Sequence, residues 1–350
     1  PENALQATIA RTWSSVLEYN NVSIDDEFFA SGGDSLSGVM LISELNESLK
    51  ASLPLQVLFD QCSVRKLEQY IRNNSETTKF RALPLNQQPS DKKIFCWPGL
   101  GGYPMGLKNL AENVEHSFYG IQAYGINENE FPYTTIKEMA EEDIKAIKRV
   151  QPTGPYYLWG YSFGARVAFE TAYQLEKQGD VVKQLALIAP GSPKLNISPQ
   201  EEEVACYDNH KYVTILYSVF FRKIAGNDLE QCLLQVNSKT SFIDFVQHRL
   251  PEIGTDTIER IVSIVEETYD FKYTFKELEK RTIKAEISIL KAIGDDYAFV
   301  EGCDSYYTTA PSIFSLNYDH YQALSANGSK EISEILRASS MTHHTINQAS

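Results

Sequence analysis

Cysteine is scarce in this chain, and what there is forms no pattern. The five cysteines (Cys62, Cys96, Cys206, Cys232, Cys303) are odd in number and share no CxxC spacing. That argues against a disulfide framework and against a zinc site, and a reducing, cytoplasmic compartment is expected. Basic charge is short as well: 32 Lys and Arg face 46 Asp and Glu, a formal charge of −14. Nucleic acid and an acidic membrane surface are therefore poor partners. Long apolar runs are missing too. The most apolar stretch, Tyr212 to Phe221, is ten residues closed by Arg222 and Lys223, half of the ~20 that a spanning helix needs. The chain opens on Pro1-Glu2-Asn3, without an initiator Met or the regions of a signal peptide, and reads as a piece cut from something longer. Core material is not lacking. With 43% hydrophobic and 11% aromatic residues, a disordered scaffold is ruled out, and 350 residues suit two domains at roughly 100–200 each.

Residues 1–74 read as a small all-helical domain. Leu5, Ile9, Trp13 and Val16/Leu17 recur every three to four positions and give the first helix one apolar stripe. A second helix is predicted from Ser35, carrying Leu36, Val39, Met40, Ile42 and Leu45, with short segments at Leu55–Phe59 and Val64–Ile71. The stretch 73–91 is polar, broken by Pro84 and Pro89, and reads as a linker. We place the domain boundaries at 1–74, 75–91 and 92–345.

From Lys92 onward strand-like and helix-like runs alternate. The strands are expected at Ile94–Trp97, Ser117–Tyr124, Tyr156–Trp159, Val181–Ile188, Ala285–Ala292 and Ser312–Tyr318. Alternation of this kind predicts an α/β fold, a mostly parallel sheet with helices on both faces. Helix-patterned residues from Pro199 to Thr282 interrupt it, an insertion (about 197–283) of the length that forms a lid.

Gly160-Tyr161-Ser162-Phe163-Gly164 fits G-x-S-x-G between an apolar strand and a helix. That context is what the chemistry needs, because a strand-to-helix elbow exposes the serine hydroxyl and small flanking residues let the backbone bend. A serine hydroxyl needs a base. Of the six histidines, His116 precedes the nucleophile, His210 and His248 sit in the insertion, and His343 and His344 lie in a tail expected to fray. His320 alone follows the last strand, which satisfies the chain order Ser, acid, His. The orienting acid can come from the loop after either of two strands. The first loop reads Ala189-Pro190-Gly191-Ser192 and holds no carboxylate; the second reads Gly294-Asp295-Asp296-Tyr297. Pro98-Gly99-Leu100-Gly101-Gly102 follows another strand and carries Pro104 where a dinucleotide fingerprint wants glycine. It reads instead as an oxyanion loop, with the Leu100 and Phe163 amides as donors. In the helical domain, Ser35 stands at a helix start after Gly32-Gly33-Asp34, a place suited to a phosphodiester, though on these residues alone a plain helix cap is the stronger reading.

Two of these stretches resemble a known pair of domains. Phe28-Phe29-Ala30-Ser31-Gly32-Gly33-Asp34-Ser35-Leu36 is similar to the carrier-domain motif of nonribosomal peptide synthetases. Residues 92–340 resemble the type I thioesterase that closes such assembly lines, through Phe95-Cys96-Trp97-Pro98, the Ser162 motif and Tyr318-Asp319-His320-Tyr321. The resemblance implies a four-helix carrier followed by an α/β-hydrolase fold with a helical lid. It implies 4′-phosphopantetheine, attached covalently to Ser35 by a phosphopantetheinyl transferase. It also implies upstream condensation and adenylation domains, and an acyl or peptidyl thioester as substrate, transferred to Ser162 and released by hydrolysis or cyclisation. In many such thioesterases the acid follows the strand matching Val181–Ile188, where this chain has Ala189. Either Asp295 or Asp296 takes over, or the triad is incomplete; aligning Ala292 with the small residue that ends this strand in hydrolases favours Asp295. The rival expectations are a thioesterase that joins two acyl units before release, and an inactive hydrolase fold used for docking.

Overall fold

The computed structural model describes residues 1–350 except 20, 50–52, 54–56, 61, 74–80, 128–129, 194–204, 252, 270–281, 297–306 and 348–350. Within helices and strands, the side chains of Ser35, Leu36, Phe59, Asp60, Arg72, Asn73, Ser192, Pro193, Asp296 and residues 340–347 also lie outside the described set.

The N-terminal unit packs α1 (Ala4–Leu17), α2 (Ser35–Leu49), α3 (Val57–Asp60) and α4 (Val64–Asn73) around one core. Asn3 caps α1 by accepting from the Gln6 amide at 2.9 Å. The apolar stripe then turns inward: Ile9 and Trp13 are fully buried, and Trp13 meets Phe28 edge-on at 5.0 Å between ring centroids.

The larger unit is built on a seven-stranded sheet in the order β1-β3-β2-β4-β5-β7-β9. Its strands are β1 (Ala82–Pro84), β2 (Lys93–Trp97), β3 (Ser117–Ile121), β4 (Tyr156–Tyr161), β5 (Val182–Ile188), β7 (Glu286–Ile293) and β9 (Ser312–Asp319). Every pairing is parallel except β1 with β3. Helices α6 (Ile136–Val150) and α7 (Gly164–Lys177) pack with strand residues such as Phe95, Leu158 and Leu185 in one apolar cluster. A second cluster joins α5 (Lys108–Glu112) and α12 (Ala326–Asn347) to residues such as Ile94, Trp159 and Leu290. Sheet residues of alternating direction thus feed two cores. His343 and His344 belong to α12 and not to a frayed tail.

The stretch read as a linker departs from that reading. Ala82, Leu83 and Pro84 pair with β3, and Leu83 and Leu85 are buried. The strand lies at the edge of the sheet, a position that tolerates a proline, which has no N–H to donate to the ladder.

The insertion between β5 and β7 contains α8 (His210–Phe221), α9 (Asn227–Gln235), α10 (Lys239–Arg249) and α11 (Thr255–Tyr269). These helices form their own core, in which Tyr212, Val213 and Leu216 are fully buried. The apolar run of α8 is therefore packing within the insertion over much of its length. Val219 and Phe220, near its end, touch that core and also pack with Ile126, Ile261 and Ile264. Two-residue strands β6 (Ser192–Pro193) and β8 (Asp295–Asp296) make a separate antiparallel ribbon, pairing Ser192 with Asp296 and Pro193 with Asp295. Among the described residues no helix is long and apolar enough to cross a membrane.

Candidate active site

The end of β4 turns straight into α7 at Ser162, which takes φ 53°. Left-handed backbone at a non-glycine residue is strained by about 1 kcal/mol or more, and it holds the serine proud of the sheet. The Ser162 amide donates to the Ile188 carbonyl on the neighbouring strand at 2.9 Å, which fixes the elbow. Gly164 is required next: a Cβ there would collide with the carbonyls of Trp97 and Pro98. That close approach brings the β2 loop against the elbow, and Gly99 packs on Ser162 and on the Tyr161 ring.

His320 sits just past β9 in a turn held by Asp319, whose Oδ1 accepts from the amides of Tyr321 at 3.0 Å and Gln322 at 2.9 Å. Ser162 Oγ lies 2.7 Å from His320 Nε2, and His320 Nδ1 lies 2.7 Å from Asp295 Oδ2. The imidazole and the carboxylate are nearly closed to solvent, with side-chain exposures of 6% and 1%. Burial of that degree strengthens the hydrogen bonds of the relay. The Tyr161 hydroxyl donates to the His320 carbonyl at 2.6 Å. Its phenol is pushed well up by burial, so it serves as a donor throughout the working range. Tyr321, whose ring lies 5.1 Å from the imidazole between centroids, is half-buried, and desolvation pushes its phenol up to about 12.

The structure therefore brings Ser162, His320 and Asp295 into one chain of hydrogen bonds. Asp295 reaches the imidazole from β8, and the ribbon with β6 is what places it. Asp296 has its side chain outside the described residues. Ala189, where the acid was first sought, is fully buried with φ 43°, its amide bonded to the Leu290 carbonyl at 2.8 Å. Leu100 is half-buried in the β2 loop against the insertion, and Phe163 is the residue that precedes α7. Tyr161 is the contributor that sequence reasoning missed; in the motif it occupies a position that imposes no residue type.

In the first unit, Ser35 is the first residue of α2. The loop before it is tight. Gly33 lies against Phe28 with no room for a Cβ, and Asp34 Oδ1 accepts from the Ser37 amide at 2.8 Å. Asp34 thus satisfies the helix end, while Gly32 and Asp34 stay exposed. A serine at an exposed helix start, with its capping duty taken by a neighbour, fits a covalently attached phosphodiester. The arrangement suits 4′-phosphopantetheine.

Comparison with known proteins places both units. Residues 92–210 match the family described as "Thioesterase domain", and residues 7–71 match "Phosphopantetheine attachment site". An indigoidine synthase of Streptomyces lavendulae is 47% identical over 93% of this chain, and one of Dickeya dadantii (strain 3937) is 46% identical over 96%. The chain spans 26% and 23% of those two relatives, about a quarter of their length. A solved four-domain nonribosomal peptide synthetase bound to AMP and glycine shares the fold over 96% of this chain and 26% of its own, at a TM-score of 0.60 and 21% identity. The Vlm2 thioesterase domain does so over 73% of this chain and 96% of its own, at a TM-score of 0.57 and 18% identity. Motif order, both family matches and the sheet agree: the chain belongs to the carrier–thioesterase didomains of the nonribosomal peptide synthetase type, and its second unit is a thioesterase with a serine-hydrolase fold.

Proposed function

We propose that this chain ends a nonribosomal assembly line of the kind its indigoidine synthase relatives represent, releasing an acyl or peptidyl chain through an ester on Ser162. The observation that carries the reading is the 2.7 Å contact of Ser162 Oγ with His320 Nε2, backed by the equal contact to Asp295. Ser35 is the attachment residue, and the group it would hold supplies a thiol that presents the acyl chain as a thioester. His320 takes the proton from Ser162 Oγ as that oxygen attacks the thioester carbonyl. Asp295 keeps Nδ1 protonated and stabilises the imidazolium that forms. The amides of Leu100 and Phe163 receive the negative charge on the carbonyl oxygen. His320 would hand the proton it took from Ser162 to the departing sulfur, so that an ester to Ser162 Oγ replaces the C–S bond. Water, or an amine or hydroxyl of the chain itself, is then deprotonated by His320 and releases the product. The four-helix unit serves as the carrier, helices α8–α11 act as the lid, and upstream synthetase domains and a phosphopantetheinyl transferase are the partners.

The test begins with coenzyme A and a phosphopantetheinyl transferase. One arm is expected on the wild type and none on Ser35→Ala. Loading an acyl group should then give turnover in the wild type and a stranded acyl chain in Ser162→Ala, read by intact mass spectrometry. Release from Ser162→Ala at the wild-type rate would sink the covalent mechanism.

A further inference from the structure

The loop that follows β2 is pressed between the elbow and the insertion. On one side, a Cβ on Gly99 would stand 3.5 Å from the Cβ of Ser162. On the other, a Cβ on Gly101 would stand 2.8 Å from Val219 Cγ1 of α8 and 3.1 Å from Ile261 Cγ2 of α11. Between the two glycines, Leu100 packs its side chain against the apolar core of the insertion. The same short turn therefore touches the serine and the helices above it.

Turn geometry alone does not hold the Leu100 amide. The Gly102 amide closes the turn on the Gly99 carbonyl at 3.1 Å, with Gly101 at φ 85° and Gly102 at φ 65°. Glycine populates both signs of φ, so the main chain on either side of Leu100 is intrinsically loose. Beyond the turn the loop is anchored, since the Gly102 carbonyl accepts from the Ala123 amide at 3.0 Å. Ahead of that anchor, the insertion supplies the contacts on Leu100 and Gly101. Val219 is half-buried and Ile261 is 3% exposed. An oxyanion donor is effective only when held beforehand to within about 0.5 Å and 10–20°.

We propose that Val219 and Ile261 are positioning residues that hold the Leu100 amide in line for the oxyanion, so that the hole is complete only while the insertion is seated on the loop. This rests on the release reading above, in which that amide receives the charge, and it couples the cover to the chemical step. When α8 lifts to admit an acyl chain, the contacts on Gly101 part and the turn loosens. Attack on the carbonyl then waits until the helices return.

The experiment compares two acyl ketones on the full chain, a trifluoromethyl ketone and its methyl ketone. Ser162 Oγ adds to the first: an O–C bond forms, the carbonyl electron pair moves to oxygen, and the serine proton passes to His320. The methyl ketone binds as a carbonyl and reports ground-state affinity. The wild type should bind the trifluoromethyl ketone at least about 100-fold more tightly. Val219→Ala removes the contact on Gly101, and Leu100→Ala keeps the amide while removing its anchor. Each should shrink that preference about 10-fold, less than the ~10²–10³ lost with a whole donor. Turnover of a soluble thioester should fall in step through kcat, with methyl ketone affinity within about two-fold. Ile261→Val deletes Cδ1 but keeps the Cγ2 that faces Gly101, and should retain the preference. An unchanged ratio in both alanine variants, or equal weakening of both ketones, would overturn the positioning role. No preference in the wild type would instead sink the oxyanion and covalent reading on which it rests.

Discussion

The Tyr161 hydroxyl and the His320 carbonyl are joined by a 2.6 Å hydrogen bond, so the residue preceding Ser162 anchors the histidine that Ser162 contacts. The Tyr161 ring also lies 5.5 Å from the imidazole between centroids. His320 is thereby fixed through its main chain by β4, through Nδ1 by β8, and presents Nε2 to Ser162. Three strands' ends converge on one side chain.

Tyr161→Phe removes only the hydroxyl and leaves a buried carbonyl without that donor. A loss of about 1–3 kcal/mol in stability is expected. Turnover should fall about 10-fold through kcat, with KM nearly unchanged, since small misplacements of a catalytic group affect the chemical step. Steady-state kinetics with a soluble thioester and a thermal melt decide it. An unchanged kcat would make Tyr161 a stability residue alone.

Asp295→Asn should cut turnover by about 10²-fold or more, because the imidazole loses the partner that selects its tautomer. Asp296→Asn should do much less. Both rates come from one assay, and the reverse ranking would transfer the role to Asp296.

The acid can be moved as a test of the geometry. Ala189 follows β5 and is bonded to β7, in a left-handed conformation that Asp adopts more readily than most residues. In an Asp295→Asn background, Ala189→Asp should recover at least 10-fold of the lost rate. No recovery, in a double variant that still melts cooperatively, would show that the loop after β5 no longer reaches the imidazole.

Asp143, a buried carboxyl on α6 that accepts from Trp97 Nε1 at 2.7 Å, sets a pH dependence. Its carboxyl titrates near 3.8 when unfolded and at about 7 in the fold, so the native state binds the extra proton between those values. Stability from this group is present at low pH and is lost as pH rises through 7, on the order of 3 kcal/mol between pH 5 and 8. Asp143→Asn abolishes that loss. The Tm of the variant relative to the wild type should therefore rise from pH 5 to pH 8; a constant difference would mean the group titrates in the ordinary range.

Much of this site was legible because its parts carry strong local signals. Ser162 stands between a strand and a helix in a spaced glycine motif, and His320 follows from chain order. The rest depends on contacts that sequence spacing does not encode. Asp295 was reachable by elimination and alignment, but the ribbon that holds it is made of two-residue strands, too short to show any period of two. β1 escaped notice for the same reason, being three residues within a polar stretch. Tyr161 looks like any large residue at an elbow, and its bond to a residue 159 positions away exists only in the fold. Asp143 was invisible inside a helix whose apolar stripe remains regular without it.

The placement of the acid on β8 bears on how such a chain could arise. The loops after β5 and β7 are neighbours, tied by the Ala189 amide to the Leu290 carbonyl and by the β6–β8 pairing. An ancestor with a carboxylate at both loop positions would keep an oriented histidine on losing either one. If a carboxylate at Ala189 reaches the imidazole, the change of address from one strand to the next needs no inactive intermediate.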